Sequence, residues 1–453
     1  MPHVSTSVTA LFAAVLVAMV LALALEEKIH AKKSVIVGLF ASITLLLAAA
    51  FGLVKPQTVE ILGTPVTLPV YIPGIDWEVI AIILGSSLFI DVTSKCGLFT
   101  WIAIKLTKMS RGDPLRLLVF YGVMTVIFSA VLNNVTAMII VGALSSVSLA
   151  KLHLNDKLLG FLLIEGLLTN VGGLLTLISS VPNIIIGNAA GISFVSFFVA
   201  AGPYVVVATA MTIYMGARLF GIRALEGEAA KAEAAVLVAG FDENDGIESA
   251  NFFRFGTVMT ILFIIAMASA SVTPYIQDLG MGYVALTFAV IMLTRYKATA
   301  DRFYQAIDWD LLAFFGCLFI VINMMEHALV LELIGEGIKP ILGLGETLGA
   351  AVLLVASAVA SSVTDNIPLA AMLAKILGGM GLASDSPFWW AVVFGANLGG
   401  NITPIGSAST LVAVTIIHKN KIPLSFAAFV KAAVPFAAMQ LALAAAYLLL
   451  VLG

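Results

Sequence analysis

The sequence predicts an all-α polytopic membrane protein of two inverted repeats, each with five transmembrane helices, one re-entrant hairpin and one broken helix. Three observations predict it: an apolar composition, polar residues at the centre of apolar segments, and motifs that recur half a chain apart. Hydrophobic residues make up 61% of the 453 and charged residues only 11%, with a mean hydropathy of +1.10. Soluble domains carry roughly 25% charged residues. Crossing a hydrocarbon core of about 30 Å takes about 20 mostly apolar residues. Such runs continue from end to end, leaving no stretch for a soluble catalytic domain, so the composition points away from an enzyme and from nucleic-acid partners. Two cysteines, Cys96 and Cys317, lie far apart without a Cys/His cluster, so neither a disulfide framework nor a metal site is expected.

The first apolar run, Val8 to Leu25, precedes its basic residues, the reverse of a signal peptide, and is read as a retained helix. Further crossings are expected at about 34–54, 78–104, 158–192 (interrupted), 194–217, 254–272, 281–295, 308–331, 388–417 (interrupted) and 424–452, ten in all. Two other apolar stretches, about 115–150 and 347–378, carry Asn133-Asn134 and Asp365-Asn366 at their centres. Non-helical backbone at membrane depth survives only where protein or a water-filled cavity covers it. Both stretches are therefore expected to be re-entrant hairpins whose tips meet in the interior. With the N-terminus outside, this walk puts Lys28, Lys32, Lys33, Lys105, Lys108, Arg111, Arg116, Lys151 and most other cations inside, and Lys55, Lys339 and Lys375 outside. That asymmetry supports the crossing count and places both termini in the periplasm. Residues 220–252, with several acids and an Ala/Glu-rich stretch suited to a helix, read as a solvated cytoplasmic linker between repeats at 1–219 and 253–453.

The repeat is carried by three matches in the same order. Asp76-Trp77 returns as Asp308-Trp309, and Ser129 to Asn134 aligns with Ser361 to Asn366, both 232 residues on; Asn170 to Thr176 aligns with Asn397 to Thr403, 227 residues on. Five crossings is an odd number, so the second repeat must be inserted upside down. Secondary transporters show this pattern, with their sites at the repeat interface beside discontinuous helices. The Gly-, Ser-, Thr- and Pro-rich segments from Gly172 to Asn183 and from Gly399 to Ser409 are expected to unwind there, freeing carbonyls and helix ends for an ion or a hydroxylated solute.

An ionisable residue at membrane depth is a functional candidate. Asp365, at a hairpin tip where its repeat mate Asn133 is neutral, is the expected carrier of the coupling ion, H+ or Na+. Glu165, five residues before Asn170, is either a second proton carrier or an interfacial residue. Asp91 and Lys95 are spaced for an ion pair on one helix. Glu326, His327 and Lys431 read as structural.

The stretches Val131 to Met138, Thr169 to Gly173, Ser361 to Pro368 and Gly395 to Ser407 together resemble the arsenite permease and NhaD-type Na+/H+ antiporter group, which includes the melanosomal P protein, within the ion transporter superfamily. The resemblance spans nearly the whole chain. It implies that Asn134 and Asn366 sit at the tip positions that bind ion and substrate in the superfamily's dicarboxylate symporters. It also implies that Thr176, Ser179, Ser180, Thr403, Ser407 and Ser409 occupy the binding loops, and that the protein is a homodimer. Val135 and Ile367 stand where the symporters' tip Thr would be, pointing away from carboxylates. Hydroxyls, amides and one carboxylate suit a small neutral polyhydroxy solute. The expectation is a secondary active transporter of a bacterial inner membrane, foremost a proton-coupled exporter of arsenite or antimonite without cofactors, and conceivably partnered by a soluble ATPase. Na+/H+ exchange and organic-anion symport are the alternatives; an intramembrane hydrolase would leave the repeat unexplained, and a passive channel, compatible with interior loops, differs from a transporter in lacking the domain motion of alternating access.

Overall fold

The computed structural model describes residues 4–61, 63–364 and 366–452. Nine principal helices precede the linker: α1 (Thr6–Ala24), α2 (Lys33–Ala50), α3 (Trp77–Ser94), α4 (Leu98–Ser110), α5 (Pro114–Val131), α6 (Asn134–Lys151), α7 (Leu158–Gly172), α8 (Val181–Ala190) and α9 (Phe194–Leu219). The linker holds α10 (Glu228–Ala239), the helix expected from its Ala/Glu-rich stretch. Nine more follow: α11 (Ala250–Ser269), α12 (Ile276–Leu293), α13 (Trp309–His327), α14 (Val330–Leu342), α15 (Glu346–Val363), α16 (Asn366–Gly379), α17 (Pro387–Gly399), α18 (Ala408–Lys419) and α19 (Phe426–Tyr447). Short turns at Glu26–Ile29 and Asp301–Ala306 complete the helical inventory beside a few single-turn segments.

Among the described residues 11 helices are long and apolar enough to cross a membrane. Three of them, α5, α6 and α15, are arms of the two expected hairpins, and each interrupted segment consists of two helices too short to cross alone. The 11 candidates thus contain the eight uninterrupted crossings read from the sequence plus hairpin arms. In the first hairpin the arms fold back on each other, for Tyr121 of α5 reaches Ser148 of α6 at 2.7 Å.

One expectation needs correction. The segment 78–104 is not one helix: it breaks after α3, and Gly97 at φ +86° starts α4 in a conformation that costs other residues strain. Beside the helices, Gln57–Ile61 and Thr64–Leu68 pair as a short antiparallel ribbon with Thr58 opposite Thr67 and Val59 opposite Val66. Alternating β-branched residues between two apolar runs favour that ribbon.

The recurring Asp-Trp has a local cause in both places. Asp76 caps α3 by accepting from the Val79 amide (3.2 Å), and Asp308 caps α13 by accepting from Leu311 (3.0 Å). Trp77 Nε1 donates to the Ile72 carbonyl and Trp309 Nε1 to the Tyr304 carbonyl, again 232 residues apart. The acid after each Trp reaches further. Glu78 accepts from the Met281 amide (3.1 Å), where Gly280 at φ +77° kinks the start of α12. Its mate Asp310 accepts from Ser34 Oγ (2.5 Å) at the start of α2. Each half therefore caps a helix of the other, and α3 packs along α12 while α13 packs along α2.

The linker is docked. Leu225 N donates to Asp113 Oδ2 (2.8 Å), Lys151 sits over the Phe241 ring at 3.9 Å, and Lys108 pairs with Glu243. Two predictions follow from this packing. A Cβ on Gly85 would lie 2.5 Å from the backbone of Ala285, so Gly85→Val should cost about 1–3 kcal/mol, read as a lowered Tm in detergent. The Lys108 hydrogen bond holds the Glu243 carboxyl below the usual carboxylate range. Docking through this pair is thus present above that range and lost as pH falls through the lowered value. A spin probe at Glu233→Cys on exposed α10 should gain mobility only below the usual carboxylate range, whereas adding Glu243→Gln should make it mobile at neutral pH as well.

Candidate functional site

Both broken helices open just where the Gly pairs predict. The first breaks between Gly172 and Val181, the second between Gly399 and Ala408. Close approach explains the glycines: a Cβ on Gly172 would lie 2.7 Å from Val126 backbone and 3.0 Å from Ser129, and one on Gly399 would meet Ala358 and Ser361, the repeat-matched residues.

Each hairpin is tied to its broken helix by the same two bonds. Ser129 Oγ donates to the Thr169 carbonyl and Ser361 Oγ to the Ala396 carbonyl, both at 2.6 Å. Thr176 Oγ1 donates to Ala130 O (2.6 Å) and Thr403 Oγ1 to Ser362 O (2.7 Å). The structure therefore places Thr176 and Thr403 behind the site, holding hairpins, rather than on its surface.

The two breaks then lock across each other. Asn170 Nδ2 donates to Ser407 Oγ at 3.0 Å, and Ser180 Oγ donates to Asn397 Oδ1 at 2.8 Å, so each Asn grips the loop serine of the other half. Around this cross, Asn170 also donates to Asn401 Oδ1 (2.8 Å) and Asn397 to Asn183 Oδ1 (2.9 Å). Asn401 reaches Gln440 Oε1 and Gln440 reaches Thr212, both groups buried. Asn401, Asn183 and Gln440 were not among the expected site residues. Gln440 carries a signal the sequence reading passed over: it is the one amide within the apolar α19 segment.

In front of the cross lies a cavity of about 420 Å³. Asn133, Asn134, Ser179, Ser180, Asn366, Ser407 and Ser409 all border it, so seven of the ten expected ligands converge. Asp365 lies outside the described residues. The cavity is also lined by one face of α3, with Ser86, Ser87, Asp91 and Ser94, a wall the sequence did not reveal. Ser86 Oγ is buried and has no hydrogen-bond partner among the described residues. The expected Asp91–Lys95 ion pair is not formed: Asp91 faces the cavity and only the field of Lys95 reaches it. Glu326 pairs with Lys375 at 3.2 Å, and His327 Nδ1 lies 2.8 Å from the Asn323 carbonyl.

Two of the first loop's carbonyls are already occupied. Ser179 Oγ and Asn183 Nδ2 both donate to the Gly173 and Thr176 carbonyls at 2.6–3.0 Å. The tips differ too. Asn134 accepts from Ser129 Oγ (2.6 Å) and donates to Asn170 (3.3 Å), whereas Asn366 makes no side-chain hydrogen bond among the described residues. Asn366 borders both this cavity and a second of about 520 Å³, which shares Asp308, Leu311, Ile367, Ser407 and Ala408 with it and extends to Lys28 and Lys33. The second hairpin tip thus stands at an opening, and the first is closed against its broken helix.

A polar cavity held between two hairpin tips and two broken helices, inside a multi-pass helical protein, defines a membrane transporter. The chain belongs to the CitMHS family, described as citrate transporters, which matches residues 3–395. It is 30% identical over 383 residues to an uncharacterized transporter of Mycobacterium bovis, covering 83% of this chain and 86% of that one. It is 25% identical over 507 residues to the human P protein, covering 94% of this chain and 60% of that one. Among solved structures it resembles the Alcanivorax borkumensis YdaH transporter (TM-score 0.62, 12% identity, 92% and 98% of the two chains). It also resembles Neisseria gonorrhoeae MtrF (TM-score 0.57, 11% identity, 93% and 95%).

The cross-lock predicts a contrast. Asn397→Ala orphans Ser180 Oγ and Asn183 Oδ1, at about 1–3 kcal/mol for each buried group, whereas Asn366→Ala should change stability by less than about 0.5 kcal/mol. Thermal unfolding in detergent measures both.

Proposed function

We infer that this transporter works by alternating access, with its two halves inserted in opposite orientations and its hairpins entering from opposite faces. The solute is small, uncharged and hydroxylated, arsenous acid or its antimony analogue foremost, and it is exported against a proton gradient. One observation carries this reading: amides and hydroxyls line the cavity, and the charged side chains bordering it among the described residues are two acids, Asp91 and Asp308. A polyanion would meet no cation there, and leaving its charges uncompensated at that depth is costly. Arsenous acid brings three O–H donors and their lone pairs, matched by Asn133 Nδ2, Ser86 Oγ and the Asn366 amide, none of which has a partner among the described residues.

The opening past Asn366 toward Lys28 and Lys33 supports loading from the cytoplasm, where the positive-inside reading puts those lysines. Asp365, at the second tip, is the proposed proton carrier, and Glu165 the other candidate. The protein is read as one of a bacterial inner membrane, a reading that its bacterial relatives support. A homodimer, and coupling to a soluble ATPase, remain proposals from the resemblance. Transport of an organic anion is the second reading, favoured by the description of the family; on this cavity wall the anion would have to arrive neutralised.

The test uses purified protein in liposomes under a pH gradient, following arsenite, citrate and Na+ in parallel. Arsenite movement that dissipates the gradient without sodium is the expected result, and Asp365→Asn should slow it by about 100-fold or more. Sodium-dependent proton flux indifferent to arsenite would make the protein a cation antiporter. Citrate movement without arsenite movement would establish the organic-anion reading instead.

A further inference from the structure

Asp91 stands on the cavity wall without a partner for its carboxylate. It follows Ser87 by four residues on α3 and precedes Ser94 by three, the helical spacing that puts all three on one face, and all three border the cavity. The Ser94 hydroxyl donates to the Asp91 backbone carbonyl (2.7 Å), not to the carboxylate. No group among the described residues hydrogen-bonds that carboxylate, and Lys95 reaches it only through its field. The other acid on this cavity is engaged: Asp308 accepts from the Leu311 amide at the start of α13, where the helix end offsets its charge. A carboxyl half-open to a water-filled cavity is ionised at neutral pH. Asp91 is therefore the uncompensated charge that an arriving solute meets.

The second half shows that the helix does not need a carboxylate at this position. The 232-residue offset that matches Asp76-Trp77 to Asp308-Trp309 sets Phe319 against Ser87, Asn323 against Asp91 and Glu326 against Ser94. On α13 the neutral Asn323 borders a different cavity of about 550 Å³, and the acid of that turn, Glu326, is paired with Lys375 at 3.2 Å. The matched helix thus packs with an amide where α3 keeps a bare carboxylate. Asp91 also differs in kind from the amides and hydroxyls around it. Those groups can both give and take a hydrogen bond, whereas an ionised carboxylate only accepts, and does so more strongly.

We propose that Asp91 is the specificity-determining residue of the site, accepting solute O–H groups through its carboxylate oxygens and turning away solutes that carry negative charge. The proposal rests on the reading of a small, uncharged, hydroxylated solute and names the side chain that enforces it. The two oxygens of one carboxylate can take hydrogen bonds from two hydroxyls of one solute molecule, and such charge-assisted bonds are roughly twice as strong as neutral ones. An anion in the same place sets like charge against like where water screens less than in bulk, at about tenfold for each unit of solute charge.

The test follows uptake of arsenite, lactate and succinate into liposomes at neutral pH, solutes that are uncharged, singly negative and doubly negative, for wild type, Asp91→Asn and Asp91→Glu. In Asp91→Asn the lactate rate should rise about tenfold and the succinate rate about a hundredfold, since two charges feel the lost carboxylate twice. The KM for arsenite should rise about tenfold as the charged acceptor goes, and Asp91→Glu should keep both anions at their wild-type rates. Anion rates that do not move in Asp91→Asn, or that rise by one common factor, would overturn the proposal, the latter because a loosened cavity ignores charge; so would an unchanged KM for arsenite. Should Asp91→Asn fail to fold, Asp91→Ser removes the charge on a face that already holds Ser87 and Ser94, with the same outcomes expected. Succinate movement without arsenite movement in wild type would defeat the neutral-solute reading. The succinate-to-lactate ratio still judges Asp91 in that case: a tenfold rise in Asp91→Asn upholds the filter, and a constant or falling ratio overturns it.

Discussion

Everything in the interior depends on the crosswise pair of hydrogen bonds between the broken helices, Asn170 to Ser407 and Ser180 to Asn397. Breaking a helix inside a bilayer exposes amides and carbonyls that lipid cannot satisfy. Here each break is met by the polar side chains of the other, so neither half can hold its own unwound segment open alone. The amides of Asn183, Asn401 and Gln440 extend this cover to the helices behind. Partial satisfaction would be worse than an apolar core, because an unpaired buried polar group costs more than a hydrogen bond contributes. The polar interior is therefore held in two hydrogen-bonded clusters, one around Asn170 and one around Asn397, rather than in a scatter of favourable contacts.

The hairpins hang from that centre by bonds that recur at matched positions, Ser129 and Thr176 in one half, Ser361 and Thr403 in the other. Against this shared frame the differences between the halves carry the function. One tip asparagine is tied to Asn170, and the other stands free at an opening. The Gly173 and Thr176 carbonyls of the first loop are taken by Ser179 and Asn183, and the carboxyl bonded to the first hairpin, Glu165, has Val392 at its matched position. The matched bonds recur in both halves, and the halves differ at their tips and loops.

Much of this was legible in the chain. Helices lie where apolar runs predict them, because length and hydropathy decide what lipid accepts. The breaks fall at Gly172-Gly173 and Gly399-Gly400, because only glycine lets α7 and α17 approach the hairpins so closely. The tips and loops of the site converge as the repeat implied, with Asn133, Asn134, Ser180, Asn366 and Ser407 on one cavity. Other parts were not legible. The α3 wall of Ser86, Ser87 and Asp91 has no motif, since a polar residue in an apolar helix reads equally as packing or as a site until its neighbours are known. Thr176 and Thr403 looked like ligands from their place in the loops, but a hydroxyl donates to whatever carbonyl the fold brings near, and here that was a hairpin backbone.

By itself the sequence determined that the chain lives in a membrane, that two related halves build it, and where its backbone must leave the helix. Those properties depend on composition and on local sterics, which spacing along the chain displays. Only the tertiary structure decided which halves of the polar groups face each other: that Asn170 meets Ser407 across 237 residues, that Thr176 turns from the cavity, and that Glu165 is buried against Ser145. Partnership of polar side chains is a property of packed helices, and nothing in the order of residues along one helix states what stands opposite.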